Sequence, residues 1–233
     1  MTNPEQLFRE ARSAGRLALD ELAGKQLLAA YGITVPRSII VPGVAEVIGA
    51  LNGLTPPFVV KVVSPDILHK SDAGGVKVNL GTAADVEEAI MTMMRQPAIS
   101  ETRVDGFLIE EMAPAGQEIV VGGLRDAQFG PLVMVGLGGI FVEVLADVAF
   151  RICPVTRLDA EEMIDELKGA AMLQGARGRK PASREAIIDT LLKVGGENGV
   201  LMRHADDIRE ADINPLIVSE TGAVAVDARF ILT

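Results

Sequence analysis

The chain has 233 residues, 48% of them hydrophobic, with a mean hydropathy of +0.30 and a pI near 4.8, enough to bury a sizeable core in one domain or two lobes. A net charge of −10, no Trp and one Tyr exclude an extended nucleic-acid surface, which needs clustered cations and stacking rings. One cysteine, Cys153, excludes an internal disulfide or a CxxC metal framework and reads as a small core residue.

The first 14 residues carry Glu5, Arg9, Glu10 and Arg12 where a secretory signal has an apolar core, and no apolar run approaches the roughly 20 residues of a membrane span; a cytoplasmic chain is expected. Leu19, Leu22, Ala23, Leu27, Leu28 and Tyr31 recur at helical spacing, and Gly32 and Pro36 end that helix. A strand follows over 38–41. The β-branched run 58–63 and the segment 76–80 predict two more, joined by a polar loop bearing Gly74-Gly75. Thr82 and the acids Asp85, Glu87 and Glu88 predict a helix over 83–94. Strands are expected at 107–112, 118–124, 131–135 and 141–145, with a hairpin turn at 125–130. Helices over 159–173 and 183–194 then frame a glycine-containing loop, and strands at 213–218 and 223–228 flank the turn Glu220-Thr221-Gly222. This mixture of hairpins and helices, without an internal repeat, predicts an α+β protein of two lobes.

Several residues in this frame could carry chemistry. Lys61 lies in an apolar strand, where an ammonium is costly unless an anion pairs with it; the alternative is an edge lysine reaching solvent. Gly74-Gly75 could offer consecutive backbone N–H groups to phosphate oxygens, with Lys70 and Lys77 as point charges, or could be a plain hairpin turn. No Walker A pattern is present. His69, in the same loop, could titrate near neutral pH and accept a phosphoryl group; a loop histidine is otherwise a surface residue, as His204 is expected to be. Glu110, Glu111 and Glu118 flank a Pro-Ala-Gly turn suited to a hinge. Asp212, Asn214 and Asp227 supply oxygen donors on strands expected to pair, the donor type a hard cation such as Mg²⁺ prefers.

Taken in order, Leu27–Pro36, the Lys61–Lys77 block with Ser64-Pro65-Asp66-Ile67-Leu68-His69-Lys70-Ser71-Asp72, Leu108-Ile109-Glu110-Glu111-Met112, Gly136-Leu137-Gly138-Gly139 and Asp212-Ile213-Asn214-Pro215-Leu216 resemble the ATP-grasp subunit or domain of ADP-forming acyl-CoA synthetases, relatives of succinyl-CoA synthetase β subunits. The resemblance covers nearly the whole chain beyond residue 18. It implies an ATP-grasp fold of two α/β lobes clamping a nucleotide: an N-terminal lobe over 18–109, a C-terminal lobe over 110–233, and residues 1–17 packing on the latter. It further implies that Lys61 meets the nucleotide phosphates, that Gly74 and Gly75 cover them, and that Glu110, the Ala113 backbone and Glu118 hold adenosine. Asn214 and Asp227 would bind Mg²⁺, His69 would relay a phosphoryl group, and Asp212 would orient or stabilise the phosphohistidine. Arg151 and Arg177 are weaker candidates for phosphate or CoA. No CoA-binding Rossmann unit is legible, so a CoA-binding α subunit or fused domain with a second catalytic histidine is the expected partner, in a hetero-oligomer. Two other readings stay open: a regulatory ATP-grasp-like module without catalysis, and a stand-alone carboxylate ligase, which would leave His69 without a task.

Overall fold

A computed structural model describes residues 3–67, 70–139, 146–175 and 180–233. The chain forms two compact units, one of residues 1–35 with 114–233 and the other of residues 36–113.

The larger unit is built on a seven-stranded antiparallel sheet. It contains β1 (Ala18–Leu19), β6 (Gln117–Asp126), β7 (Gly130–Leu137), β8 (Val148–Ile152), β9 (Ile208–Val218), β10 (Ala223–Ala225) and β11 (Arg229–Leu232), in the order β1-β11-β9-β6-β7-β8 with β10 paired to β9. Alternation along β6, β7 and β9 sends Ile119, Val121, Val133, Val135, Ala211, Ile213 and Leu216 into one core. That core is completed by helices α1 (Pro4–Ser13), α2 (Glu21–Ala30), α6 (Arg157–Asp165), α7 (Arg184–Gly195) and the short α8 (Val200–Arg203). Their starts are written in the sequence. Asn3 caps α1 ahead of Pro4, Asp20 caps α2 through the Ala23 N–H, and Thr156 and Asp159 close a capping box on α6.

The smaller unit is a four-stranded antiparallel sheet in the order β2-β5-β3-β4, from β2 (Ser38–Val41), β3 (Phe58–Val63), β4 (Val76–Leu80) and β5 (Gly106–Glu111). Phe58, Val60, Val62, Phe107 and Ile109 alternate onto one face and pack with Val47 of α3 (Val47–Leu51), Val86, Ile90 and Met93 of α4 (Ala83–Met94) and Ile99 of the one-turn α5 (Pro97–Ser100). The helix expected over 83–94 matches α4, which opens on a Thr82–Asp85 capping box.

Where the structure differs from the sequence expectations, the cause is tertiary. Residues 18–35 fall in the larger unit, not in a lobe of 18–109, because β1 pairs with β11 and Leu27, Leu28 and Ile33 sit in the larger core; the other boundary falls at Ala113/Pro114. The expected helix 159–173 is two pieces. α6 stops at Asp165, and the buried Asp147 carboxylate accepts the N–H groups of Lys168 and Gly169 at 2.8 Å each, ahead of a 3-10 turn at Ala170–Gln174. The strand expected at 141–145 lies outside the described residues, and β8 begins instead at Val148. Cys153 is buried, and burial pushes its thiol up to about 12, in keeping with a core role.

His204 is not a surface residue. It is 8% exposed, bonded through Nε2 to the Tyr31 hydroxyl at 2.8 Å, tilted against Phe8, and 3.7 Å from the Asp207 carboxylate, which pairs with Arg12 of α1. Burial holds its pKa below the ordinary 6.5, against the opposing charges of Asp207 and Glu5. A depressed histidine contributes stability that is present above 6.5 and lost as pH falls below it. The melting temperature of the wild type should therefore drop more steeply than that of His204→Gln between about pH 6.5 and 5, and thermal unfolding across that range checks this.

Candidate functional site

In the smaller unit the strand lysine has its anion. Lys61 on β3 and Glu110 on β5 are 7% and 2% exposed, and Nζ lies 3.0 Å from Oε2. Register explains the pairing: Val59 faces Glu110 and Lys61 faces Leu108, so Lys61 and Glu110 are diagonal neighbours on the face opposite the helices. Glu110 therefore meets Lys61, a contact that the adenosine role implied for it does not include. Glu111, one residue on, accepts the Thr55 N–H at 2.8 Å.

His69 lies outside the described residues. The glycines after it behave differently from the expectation of free amides. The Gly75 N–H donates to the Lys70 carbonyl at 2.7 Å and the Gly74 N–H to the Ser71 carbonyl at 3.1 Å, so in this conformation both are engaged inside the loop. Their identity has local causes as well. Gly74 sits at φ +71°, and a Cβ on Gly75 would come within 2.4 Å of Val62 Cγ1.

In the larger unit the strand-borne candidates lie on the sheet face turned away from the core. Register across β6, β7, β9 and β11 sets Glu118, Gly122, Met134, Asp212 and Arg229 on that face, with Asp212 opposite Gly122 on one side and Arg229 on the other. Asp212 and Asn214 stand at alternate positions of β9; part of the Asp212 side chain reaches solvent, while its carboxyl is partly shielded from water by the surrounding sheet face. Asp227 falls in the link between β10 and β11, where the Val226 N–H donates to the Pro215 carbonyl at 3.1 Å and holds this link beside Asn214-Pro215. Ala113 lies where the chain passes from one unit to the other.

Asp212 is electrostatically loaded. Burial, and then the charge of Asp227, hold its carboxyl above the usual carboxylate value, while Arg229 works in the opposite direction. A groove of about 460 Å³ opens over Gly122, Met134, Phe150, Asp212 and Arg229. Two carboxylates close enough to repel, with an amide oxygen on the same strand, form a donor set suited to a hard divalent cation, which would relieve that repulsion. Asn214 and Asp227 are the members of that set that could hold Mg²⁺. Arg229 carries no motif signal beyond standing two residues after Asp227. Arg151 is bound to Glu166 and Glu162, so its weaker assignment to phosphate or CoA finds no support, and Arg177 lies outside the described residues.

A strand lysine in a small four-stranded sheet and an acid-and-amide cluster on the open face of a larger antiparallel sheet define an ATP-grasp protein. The family model described as an ATP-grasp domain matches residues 10–232, and the chain belongs to that family. Within it, the chain is 44% identical to the β subunit of acetate–CoA ligase [ADP-forming] I of Pyrococcus furiosus, over 97% of each chain. It is 43% identical to acetate–CoA ligase [ADP-forming] I of Archaeoglobus fulgidus, over 94% of this chain but 31% of that longer one. Among solved structures, the dinucleotide-forming acetyl-coenzyme A synthetase 1 of Ca. Korarchaeum cryptofilum, 39% identical, aligns with 99% of this chain and 100% of its own. The TM-score is 0.92 for its complex with coenzyme A, Ca-AMPCP and HgCl⁺. It is 0.84 for a complex with coenzyme A and Mg-AMPPCP in which the phosphohistidine segment points towards the nucleotide binding site. No helix among the described residues is long and apolar enough to cross a membrane.

Proposed function

We propose that this chain is the nucleotide-binding subunit of an ADP-forming acyl-CoA synthetase, in the reaction acyl-CoA + ADP + phosphate = acid + CoA + ATP, working with a CoA-binding subunit or fused domain in the cytoplasm. The observation that carries this is the end-to-end match, 97% of both chains, to a stand-alone β subunit.

In this reading the Lys61 ammonium, held by Glu110, meets the nucleotide phosphates, and Glu118 and the Ala113 backbone contact adenosine. Gly74 and Gly75 shape the loop carrying His69, whose imidazole accepts or returns the phosphoryl group. Towards ATP, the P–N bond of phosphohistidine breaks as a P–O bond forms to the terminal phosphate of ADP. Asp212 orients and stabilises the phosphohistidine through a charge-assisted hydrogen bond. Asn214 and Asp227 hold Mg²⁺, which when bound neutralises phosphate charge. Positioning by these side chains does most of the work, since phosphoryl transfer asks little covalent chemistry of the protein.

The test is partner dependence. The purified chain should bind ADP or ATP with Mg²⁺ by calorimetry and make no acyl-CoA until the CoA-binding partner is added. Full synthetase activity from the isolated chain would refute the division of labour.

A further inference from the structure

We propose that α2 is the back wall of the segment carrying Asp227, with Gly24 and the buried Glu21–Lys25 pair as positioning residues for that carboxylate. The inference rests on the reading of Asp227 as a metal ligand.

Residues 21, 24, 25 and 28 share one face of α2. On that face a Cβ added to Gly24 would lie 2.7 Å from the Ala228 carbonyl oxygen and 3.4 Å from the Ala228 Cβ, so the helix backbone rests directly against the residue after Asp227. Only glycine permits this approach. Just past the helix, the Thr34 carbonyl accepts the Ala225 N–H at 2.9 Å, and the Pro215 carbonyl accepts the Val226 N–H at 3.1 Å. Segment 225–228 is thus fixed at three points, two of them on α2 and the turn that follows it. The third is the residue after Asn214, so the two proposed metal ligands are tied together through backbone.

Flanking Gly24, Lys25 Nζ lies 2.7 Å from Glu21 Oε1, with side chains 1% and 6% exposed. The proposed reaction gives neither residue a chemical task. A buried ion pair adds little net stability, yet breaking one is strongly destabilising, so in this proposal its task is to hold a geometry. Here the geometry held is the seating of the helix face that touches Ala228. An error of a few tenths of an ångström at Gly24 passes into the backbone at Asp227, and outer-shell changes of this kind typically weaken metal binding about 10–100-fold.

The experiment compares wild type, Gly24→Ala and Lys25→Met in the full chain, titrating ADP by calorimetry in Mg²⁺ and again in EDTA, with hydrogen exchange followed over 225–228. Gly24→Ala should weaken ADP binding in Mg²⁺ about tenfold or more, leave binding in EDTA unchanged, and speed exchange at Ala225 and Val226. Wild-type binding in Mg²⁺ with unaltered exchange overturns the inference, and so does an equal loss with and without Mg²⁺, which marks a merely structural role. If Gly24→Ala fails to fold, the double variant Glu21→Gln/Lys25→Met, which removes both charges of the pair, is judged by the same two readouts. Asp227→Asn separates the two layers: retention of its Mg²⁺ dependence removes the metal reading, while exchange at 225–228 still decides whether α2 positions the segment.

Discussion

Lys61→Met is expected to abolish detectable nucleotide binding and to destabilise the protein by about 3–5 kcal/mol, the usual cost of removing one partner from a buried ion pair. The magnitude follows from burial. Glu110 is 2% exposed and its carboxylate lies 3.0 Å from the lysine ammonium, so methionine keeps the strand packing but takes away that cation. The double variant Lys61→Met/Glu110→Gln should recover most of the stability, because it removes the charge imbalance as well. It should not recover nucleotide binding, which needs the ammonium itself. Urea unfolding of the four members of this cycle, with calorimetric titration of ATP–Mg²⁺, separates the two effects. A loss below about 1 kcal/mol in Lys61→Met would place the pair with weak surface pairs and remove Glu110 as the residue that holds the lysine.

The run Phe58–Val63 left two readings of Lys61 open, a charge among β-branched residues that an anion must pair and an edge lysine reaching solvent, and the structure supplies the anion. Its identity was not, because β3 and β5 are neighbours only through the sheet order β2-β5-β3-β4, which local pattern does not encode. The same limit explains other differences. The helix expected to run to 173 has the right composition throughout, but the Asp147 side chain, from a distant segment, captures the amides that would have continued it. β1 and β11 are two and four residues long, too short for a period of two to show, yet their pairing decides which unit holds residues 18–35. By contrast α4 and the strands at 38–41, 58–63 and 76–80 match the structure, since each carries both its periodicity and its stop signals locally. In the candidate site, Asp212, Asn214 and Asp227 were readable as oxygen donors on strands expected to pair, but Asp212 stood outside the expected strand 213–218 and falls inside β9, which begins at Ile208. That Asp227 would crowd Asp212 depended on how the link after β10 folds back beside β9, and that Asp227 would be backed by α2 depended on contact between segments about two hundred residues apart.

The second large effect concerns the phosphoryl relay, where stability and function should move in opposite directions. In the complex with its CoA-binding partner and labelled ATP–Mg²⁺, His69→Ala should carry no acid-labile, base-stable phosphoryl group, because the only proposed acceptor on this chain is gone; label equal to wild type would remove His69 from the mechanism. Asp212→Asn should keep the label but slow its formation and discharge by about 100-fold or more, in the range for losing a charged group that acts on a proton-bearing ring. Yet the same variant should be more stable than wild type at neutral pH. The Asp212 carboxyl is held above 3.8 by burial and by Asp227, so the folded state binds its proton more tightly than the unfolded chain does. Such a group contributes stability that is full below the unfolded value and is lost as pH rises through the raised one. Asparagine has no proton to lose, so its melting temperature should match wild type below about pH 3.8 and exceed it by a growing margin as pH rises above that value, until the native carboxylate is fully ionised. In the proposed reaction this carboxylate, set between a second acid and an arginine where it weakens the fold, would be relieved by a bound cation such as Mg²⁺. Saturating Mg²⁺ and nucleotide should therefore raise the wild-type melting temperature more than that of Asp212→Asn, and equal shifts would separate the charge of Asp212 from the ligand site.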